Sequence, residues 1–438
     1  MLACPSLPEP STPITLKFWK WQAITLTDEK IKEVINLWEQ EHPNVKIEFT
    51  VFPELSNLEF VMKVEQSTGA GQGPDIIMVD EPYMAVLAYD GYLAEMPPYL
   101  QAIINQLVLQ PFDRMLYLWG PDGKIRMYGF PSLRAVGPKV LAVNEYHLEE
   151  AGIPKDWCPK TWDELIDVAK KLTKYDEKGN LVRSGLFVRV GGNVGGISDK
   201  WFTLLFATGG YVLTCKNGSW VTDVNSALAK ELTQKLYLDV IYKYKIYDPG
   251  FPGDVTGFAN EQDSIIVPRE PAEIVNALLS INPGRFKDPQ TGRIIGVHFC
   301  PIPVANETIS PRTLFDGHLV SVNAKSPPEK QQWAFQFLCW LATHKEVREK
   351  LYNEIYMFPP WKDLANEPPF DQPVFQQLIE IAKSGYSRVL HPNIGTILTE
   401  AGQILARIYL KETSLDDGLN ELASRILDIA NEAKNACK

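Results

Sequence analysis

The sequence predicts an α/β architecture in which doubly wound sheets are flanked by helices. Three observations carry that expectation. An apolar strand, an amphipathic helix and a second apolar strand follow one another over residues 16–52. The stretch GPDIIMVDEPYMAVLAYDGYLAEMPPYL, residues 73–100, reads as an inner strand, a polar turn and a helix. Finally, 438 residues with 45% apolar content can fill two cores, and the length suggests two or three domains.

The first 13 residues, MLACPSLPEPSTP, contain neither the charged nor the long apolar segment of an intact signal peptide. Leu2-Ala3-Cys4 resembles the end of a lipoprotein processing site, with a leader trimmed and Met1 added. Cys4 would then carry an acyl anchor on the outer face of a membrane. The Pro/Ser/Thr stretch that follows reads as an extended, unpacked tether, with an arbitrary disordered tail as the alternative.

Residues 16–21 form the first expected strand. Thr27 caps a helix whose first turn holds Asp28 and Glu29, where the helix dipole favours anions. Ile31, Val34, Ile35 and Trp38 recur at i, i+3, i+4 and i+7, one buried stripe. His42-Pro43 ends the helix, and Val45–Phe52 is the second strand. Residues 75–79 are apolar and β-branched enough for an inner parallel strand, which Asp80, Glu81 and Pro82 stop. Residues 83–92 then read as a helix with Met84, Val86, Leu87 and Tyr89 on its apolar face. Ligands of open α/β sheets sit at the carboxyl ends of strands, so Asp80 and Glu81 are placed to face one.

Farther along, Thr161 to Glu164 is a capping box, followed by Leu165, Val168, Ala169 and Leu172 at helical spacing. Residues 191–196, GGNVGG, precede an apolar helix over 201–208. A phosphate cradle would need a following Lys-Ser/Thr, which is missing, so the loop is either a plain surface loop or a rim that presents Asn193 and Trp201. Ser326-Pro327 caps a helix with the stripe Trp333, Phe337, Trp340 and Leu341. Leu415, Leu419, Leu422 and Ile426 mark an amphipathic helix near the end.

The pattern PDI, two polar residues, a short helix and GYLAEM…YL resembles the extracellular solute-binding proteins of ABC importers. The closest group is the carbohydrate-binding one that includes maltose-binding proteins. The resemblance runs from about Ile14 to the C-terminus. VNEYHLEEAGIP is a variant of a segment that follows the first crossing between lobes, and AGIP…TWDELIDVAKKLT is a specific signature.

The resemblance implies a two-lobed, type II periplasmic-binding-protein-like fold with three crossovers acting as hinges. Lobe one would hold 14–134 and 316–356, and lobe two 135–315 and 357–438. It also implies ligand positions in a cleft between the lobes. Trp21, Gln22, Asp80, Glu81, Asp316, Gly317, His318 and Arg388 stand at such positions, with Arg134, Asn193, Trp201, Arg269, Glu270 and Trp361 as further candidates. Where the family usually has an aromatic that stacks on sugar, this chain has Pro268-Arg269-Glu270-Pro271, which could bond hydroxyls or form a salt bridge at a helix start. FDGH replaces a glycine-rich crossover, so His318 is either a ligand contact or structural. Trp361 is either at the cleft or a packing anchor beside two prolines, and Arg388 either reaches the ligand or braces its pocket. Sugar binding suits these residue types: Asp, Glu, Asn and Arg pair with hydroxyls, and Trp presents a flat face to sugar C–H groups.

Other functions are weighed against this one. A net charge of −11 argues against a nucleic-acid binder, and no apolar run reaches membrane-spanning length. The six cysteines include no CxxC pair, so zinc and redox motifs lack support; Cys339 reads as a packed core residue, and any disulfide pairing stays open. Asp80, Glu81 and Asp316 raise a glycoside hydrolase as a rival, but no G-x-S-x-G or H-E-x-x-H motif occurs, and an enzyme is not expected. The stronger rival is a cationic or modified solute held by Asp80, Glu81, Glu270 and Asp316. No cofactor or metal is expected. The implied partners are a sugar-like solute and an ABC permease with its ATPases, for a monomer working outside the cytoplasm, in the periplasm or on the cell surface.

Overall fold

A computed structural model describes residues 3–22, 25–131, 133, 137–353, 358–388, 391–433 and 437. The chain divides into two compact units. Unit one comprises 1–136, 316–371 and 390–395; unit two comprises 137–315, 372–389 and 396–438.

Unit one is built on a four-stranded sheet in the order His318–Val322, Ile76–Asp80, Ile14–Trp21, Val45–Phe52. The last three strands are parallel, and His318–Val322 is antiparallel to Ile76–Asp80. Ile76 to Val79 are all fully buried, as an inner strand requires. The helix Thr25–Glu41 covers the sheet with Ile31, Val34, Ile35 and Trp38 buried. Trp38 packs edge-on against Phe337 and Trp340 of helix Pro328–Thr343, with ring centroids 5.4 and 5.5 Å apart.

The helix expected over 83–92 spans Glu81–Tyr89 instead. Asp80 accepts the Glu81 N–H, and Pro82 sits in the first turn, where its fixed φ begins a helix rather than stopping a strand. Gly91, at φ +75°, closes it: Gly91 N–H bonds Ala88 O at 3.2 Å and Tyr92 N–H bonds Leu87 O at 2.9 Å. This is a Schellman end, which favours glycine at the left-handed position.

Two expectations about chain placement are corrected. Residues 358–371, read as part of lobe two, belong to unit one. Leu109 N–H bonds Pro360 O at 2.8 Å, and Lys362 N–H bonds Leu107 O at 2.9 Å, stitching this segment beside Val108. The N-terminal segment is not an unpacked tether. Asn44 Nδ2 bonds Pro10 O at 3.1 Å, Glu9 meets His42 at 2.6 Å, and Cys4 is disulfide-bonded to Cys339.

In unit two, Val140–Asn144 is the central strand, antiparallel to Ile265–Arg269 on one side and to Val297–Cys300 on the other. The helix Val194–Ala207 is buried from Ile197 to Leu205. The helix Ile394–Tyr409 crosses it so closely that a Cβ on Gly402 would lie 1.8 Å from Val194 O. Disulfides Cys158–Cys300 and Cys215–Cys437 lie within this unit.

Candidate functional site

In unit one the parallel strands end together, with Trp21 and Asp80 as last residues of two of them. The antiparallel strand begins at that same edge, with His318 paired to Asp80. Topology therefore gathers Trp21, Gln22, Asp80, Glu81, Asp316, Gly317 and His318 from three distant parts of the sequence.

The Trp21 and His318 rings lie 5.5 Å apart, tilted by 48°. Trp21 Nε1 donates to Leu55 O at 2.8 Å, which sets the orientation of the indole. Asp80 caps the Glu81–Tyr89 helix, its Oδ1 accepting from Glu81 N–H at 3.0 Å. That same N–H lies 3.1 Å from Gly317 O, joining the two candidate segments. Glu81 and His318 are buried, while Trp21, Gln22, Asp80 and Asp316 are half-buried and reachable.

Sequence reasoning missed Lys20 here. It is fully buried, pairs with Asp28 at 2.9 Å, and donates to the Gln22 carbonyl. Gln22 has a φ of +62°, uncommon for a residue other than glycine. The Lys20 bond to its carbonyl and a contact from its N–H to Phe52 O at 3.4 Å accompany that conformation. A signal was present: Lys20 falls in the same strand phase as buried Leu16 and Phe18.

In unit two the candidates converge on a buried ion network. Arg269 ends its strand and Glu270 begins the next helix, Pro271–Ile281. Arg269 reaches Glu270 at 2.5 Å and both Asp254 and Glu273 at 2.7 Å. Glu270 also pairs with Lys200. Asp199, beside Lys200 on the Val194–Ala207 helix, accepts from Lys139 at 2.7 Å, Lys200 at 3.1 Å and Arg388 at 3.0 Å. Burial pushes the Asp199 carboxyl upward, but Arg388, Lys139 and Lys200 together hold it well below the usual range. Glu270 is likewise driven up by burial and brought strongly down by Lys200 and Arg269. Both are therefore anions whose charge is already answered. Lys139, Asp199 and Lys200 escaped the sequence reading, although a charged pair inside VGGISDKWFTLLFA is conspicuous in so apolar a helix.

Several expectations change. Trp201 is fully buried, with Nε1 donating to Thr233 Oγ1 at 2.9 Å; it is core of unit two and has no open face for a ligand. Trp361 is 1% exposed, donates to Tyr352 Oη at 3.2 Å and stacks under Arg348 at 4.6 Å, so it is the packing anchor of the two readings. Asn193 caps the Val194–Ala207 helix by accepting from Gly196 N–H at 3.1 Å, yet remains exposed. Arg388 has a bracing partner in Asp199. Arg134 lies outside the described residues. Cys4, expected to carry a lipid anchor, has its sulfur bonded to Cys339 in this structure, and a sulfur joined in that way does not carry a thioether at the same time. Cys339 is buried as expected, but as a disulfide partner.

Among the described residues one group has metal-ligand spacing: Cys158, His298 and Cys300, with ligand atoms within 4.8 Å of one another. Its two sulfurs are joined in a disulfide, which removes the thiolates a metal would need. No helix of the described residues is long and apolar enough to cross a membrane.

A family model for bacterial extracellular solute-binding proteins matches residues 23–348. An uncharacterized lipoprotein in the oleD 5' region of Streptomyces antibioticus is 30% identical over 167 residues, 37% of this chain and 34% of the relative. The chain thus matches about a third of that relative's length. An ABC transporter solute-binding protein of Thermotoga lettingae, bound with α-D-tagatose, aligns with a TM-score of 0.76 at 21% identity, covering 95% of this chain and 99% of that one. Maltose-bound MalE3 of T. maritima aligns with a TM-score of 0.75 at 19% identity, covering 94% and 98%. At such identities these two structures establish a shared fold.

Proposed function

Since the chain belongs to the family of bacterial extracellular solute-binding proteins, we propose that it is the receptor of an ABC importer and that its solute is a carbohydrate. The observation that carries the reading is the meeting of Trp21 with His318 at the edge where Asp80 and Asp316 are also reachable. An indole held in place by Leu55 O offers a fixed apolar face for sugar C–H groups. Asp80, Asp316 and Gln22 offer oxygens and amide protons for hydroxyls. Lys20, behind them, positions Gln22 through its carbonyl and does not touch the solute. The sugars bound by the two similar structures, tagatose and maltose, support the same class. The solute would be passed to a membrane permease, outside the cytoplasm.

The cationic-solute alternative is weaker because Glu270, one of its four carboxylates, is already paired with Lys200 and Arg269. A binding role without turnover fits the family.

Calorimetric titration with mono-, di- and trisaccharides, sugar alcohols, amino sugars and polyamines tests the reading. One sugar class should bind, and Trp21→Ala should weaken it about tenfold, the scale of losing one stacked aromatic. Binding of polyamines alone would overturn the carbohydrate assignment, and hydrolysis of any oligosaccharide by the pure chain would overturn the receptor assignment.

A further inference from the structure

Unit two carries a groove of about 830 Å³ on its surface. Its walls are the hairpin around Asn180, the Gln234–Lys243 helix and the loop 245–251. The volume falls within the range of small-molecule sites. Two of its lining tyrosines, Tyr175 and Tyr242, are 45% and 40% exposed, among the most exposed large apolar side chains described.

These rings are exposed but held in place. Tyr175 Oη donates to Lys245 O, and Tyr242 Oη donates to Tyr409 O at 2.8 Å. The Lys411 ammonium lies over the Tyr242 ring, 3.7 Å from its centroid. Fixing an aromatic ring through its hydroxyl lowers the entropy a ligand must remove when it stacks. Beside the rings stand polar groups with unused capacity. Among the described residues the Lys245 ammonium has no side-chain partner. Asp248 uses Oδ1 to accept Gly250 N–H at 2.7 Å, while its other oxygen has no hydrogen-bond partner among the described residues.

We propose that this groove is a second carbohydrate site, which takes a short stretch of a glycan chain by stacking sugar rings on Tyr175 and Tyr242 and bonding hydroxyls to Lys245 and Asp248. Anchored aromatic faces flanked by one donor and one acceptor suit a neutral polyhydroxylated ligand. A phosphorylated ligand would need more cations than Lys245, and a lipid would not leave Asp248 and Lys245 in the lining. The site is independent of the edge built by Trp21 and His318 and can stand whether or not the importer's solute is a sugar.

Affinity electrophoresis of the full chain through gels containing soluble starch, galactomannan or mixed-linkage β-glucan tests it. The wild type should be retarded in at least one gel, and Y175A/Y242A should migrate as in a polysaccharide-free gel. K245A/D248A, which alters only exposed side chains, should lose at least about half of the retardation, as expected when hydroxyl partners are removed. Thermal melts of both variants check that they fold. Retardation that survives Trp21→Ala and is lost in Y175A/Y242A belongs to the groove, whereas retardation kept in all three variants overturns the proposal. Retardation lost in Trp21→Ala but kept in both groove variants overturns the proposal and leaves the receptor reading standing. No retardation of the wild type in any gel also overturns it.

Discussion

Asp263 shows how a single buried residue tunes this chain. Its carboxyl group is fully buried, and neither oxygen has a hydrogen-bond partner among the described residues. Burial, helped by the negative charge of Asp254, pushes its pKa up to about 8. The space it occupies exists because Gly257 and Gly253 lack side chains; a Cβ on Gly257 would lie 2.4 Å from Asp263 Oδ2. The folded pKa lies above the unfolded value of 3.8, so the folded chain holds the extra proton between them. The associated stability is fully present below the unfolded value and is lost as pH rises through about 8. Asp263→Asn keeps the shape and cannot ionise. It should gain roughly 1–3 kcal/mol over the wild type at alkaline pH and little in acid, read from denaturant unfolding at the two pH values. Asp199 has the opposite sign. Its depressed pKa gives stability that is present above the unfolded value of 3.8 and is lost as pH falls through the folded one. Asp199→Asn leaves Lys139, Lys200 and Arg388 buried around a neutral amide, and should cost about 3–5 kcal/mol in urea unfolding.

Helix ends and helix crossings were legible to different degrees at the level of elements. The sequence predicts a capping box at Thr161; Thr161 does accept the Glu164 N–H, at 3.3 Å, but the Glu164 carboxylate turns to the Lys160 N–H, at 2.7 Å, so only half of the box forms. Ser56 with Glu59 forms the complete box, with both reciprocal bonds present. Asp80 was read as a strand end facing a ligand, and its capping bond shows that one residue can both end a strand and start a helix. The crossing of Ile394–Tyr409 over Val194–Ala207 was not legible, because a glycine inside an apolar helix does not say which backbone approaches it. Gly402→Ala would drive a methyl group into Val194 O. Backbone cannot yield as a flexible side chain does, so the variant should lose about 1–3 kcal/mol, measured as a lower melting temperature.

The whole chain is held by three disulfides, each inside one unit: Cys4–Cys339 in unit one, and Cys158–Cys300 and Cys215–Cys437 in unit two. Each closes a long loop, and removing one should cost about 2–5 kcal/mol, read from melts with and without reductant. Peptide mapping without reduction should recover these three pairs. A chain carrying a thioether lipid on Cys4 would yield no Cys4–Cys339 peptide, so the same map separates the anchored form from the bonded one.

What the sequence determined by itself was local and periodic. The β-α-β opening, the stripe of Ile31, Val34, Ile35 and Trp38, and the polar residues at the end of an inner strand all follow from spacing, and hydrophobic periodicity is a property of neighbours in the chain. The candidate at the end of the inner strand, Asp80, was legible for that reason, and the family resemblance added Trp21 and His318. Only the tertiary structure decided which tryptophans are open and which are core, since Trp21, Trp201 and Trp361 are alike as residue types and differ in what packs over them. It also decided that Arg269, Glu270 and Arg388 have ionic partners, because Lys200, Asp199 and Lys139 come from elsewhere in the chain. Cysteine pairing depends in the same way on distances that separations of 142 to 335 residues cannot specify. Burial, charge pairing and cross-linking are set by residues remote in sequence, and the order of amino acids states them only through the fold.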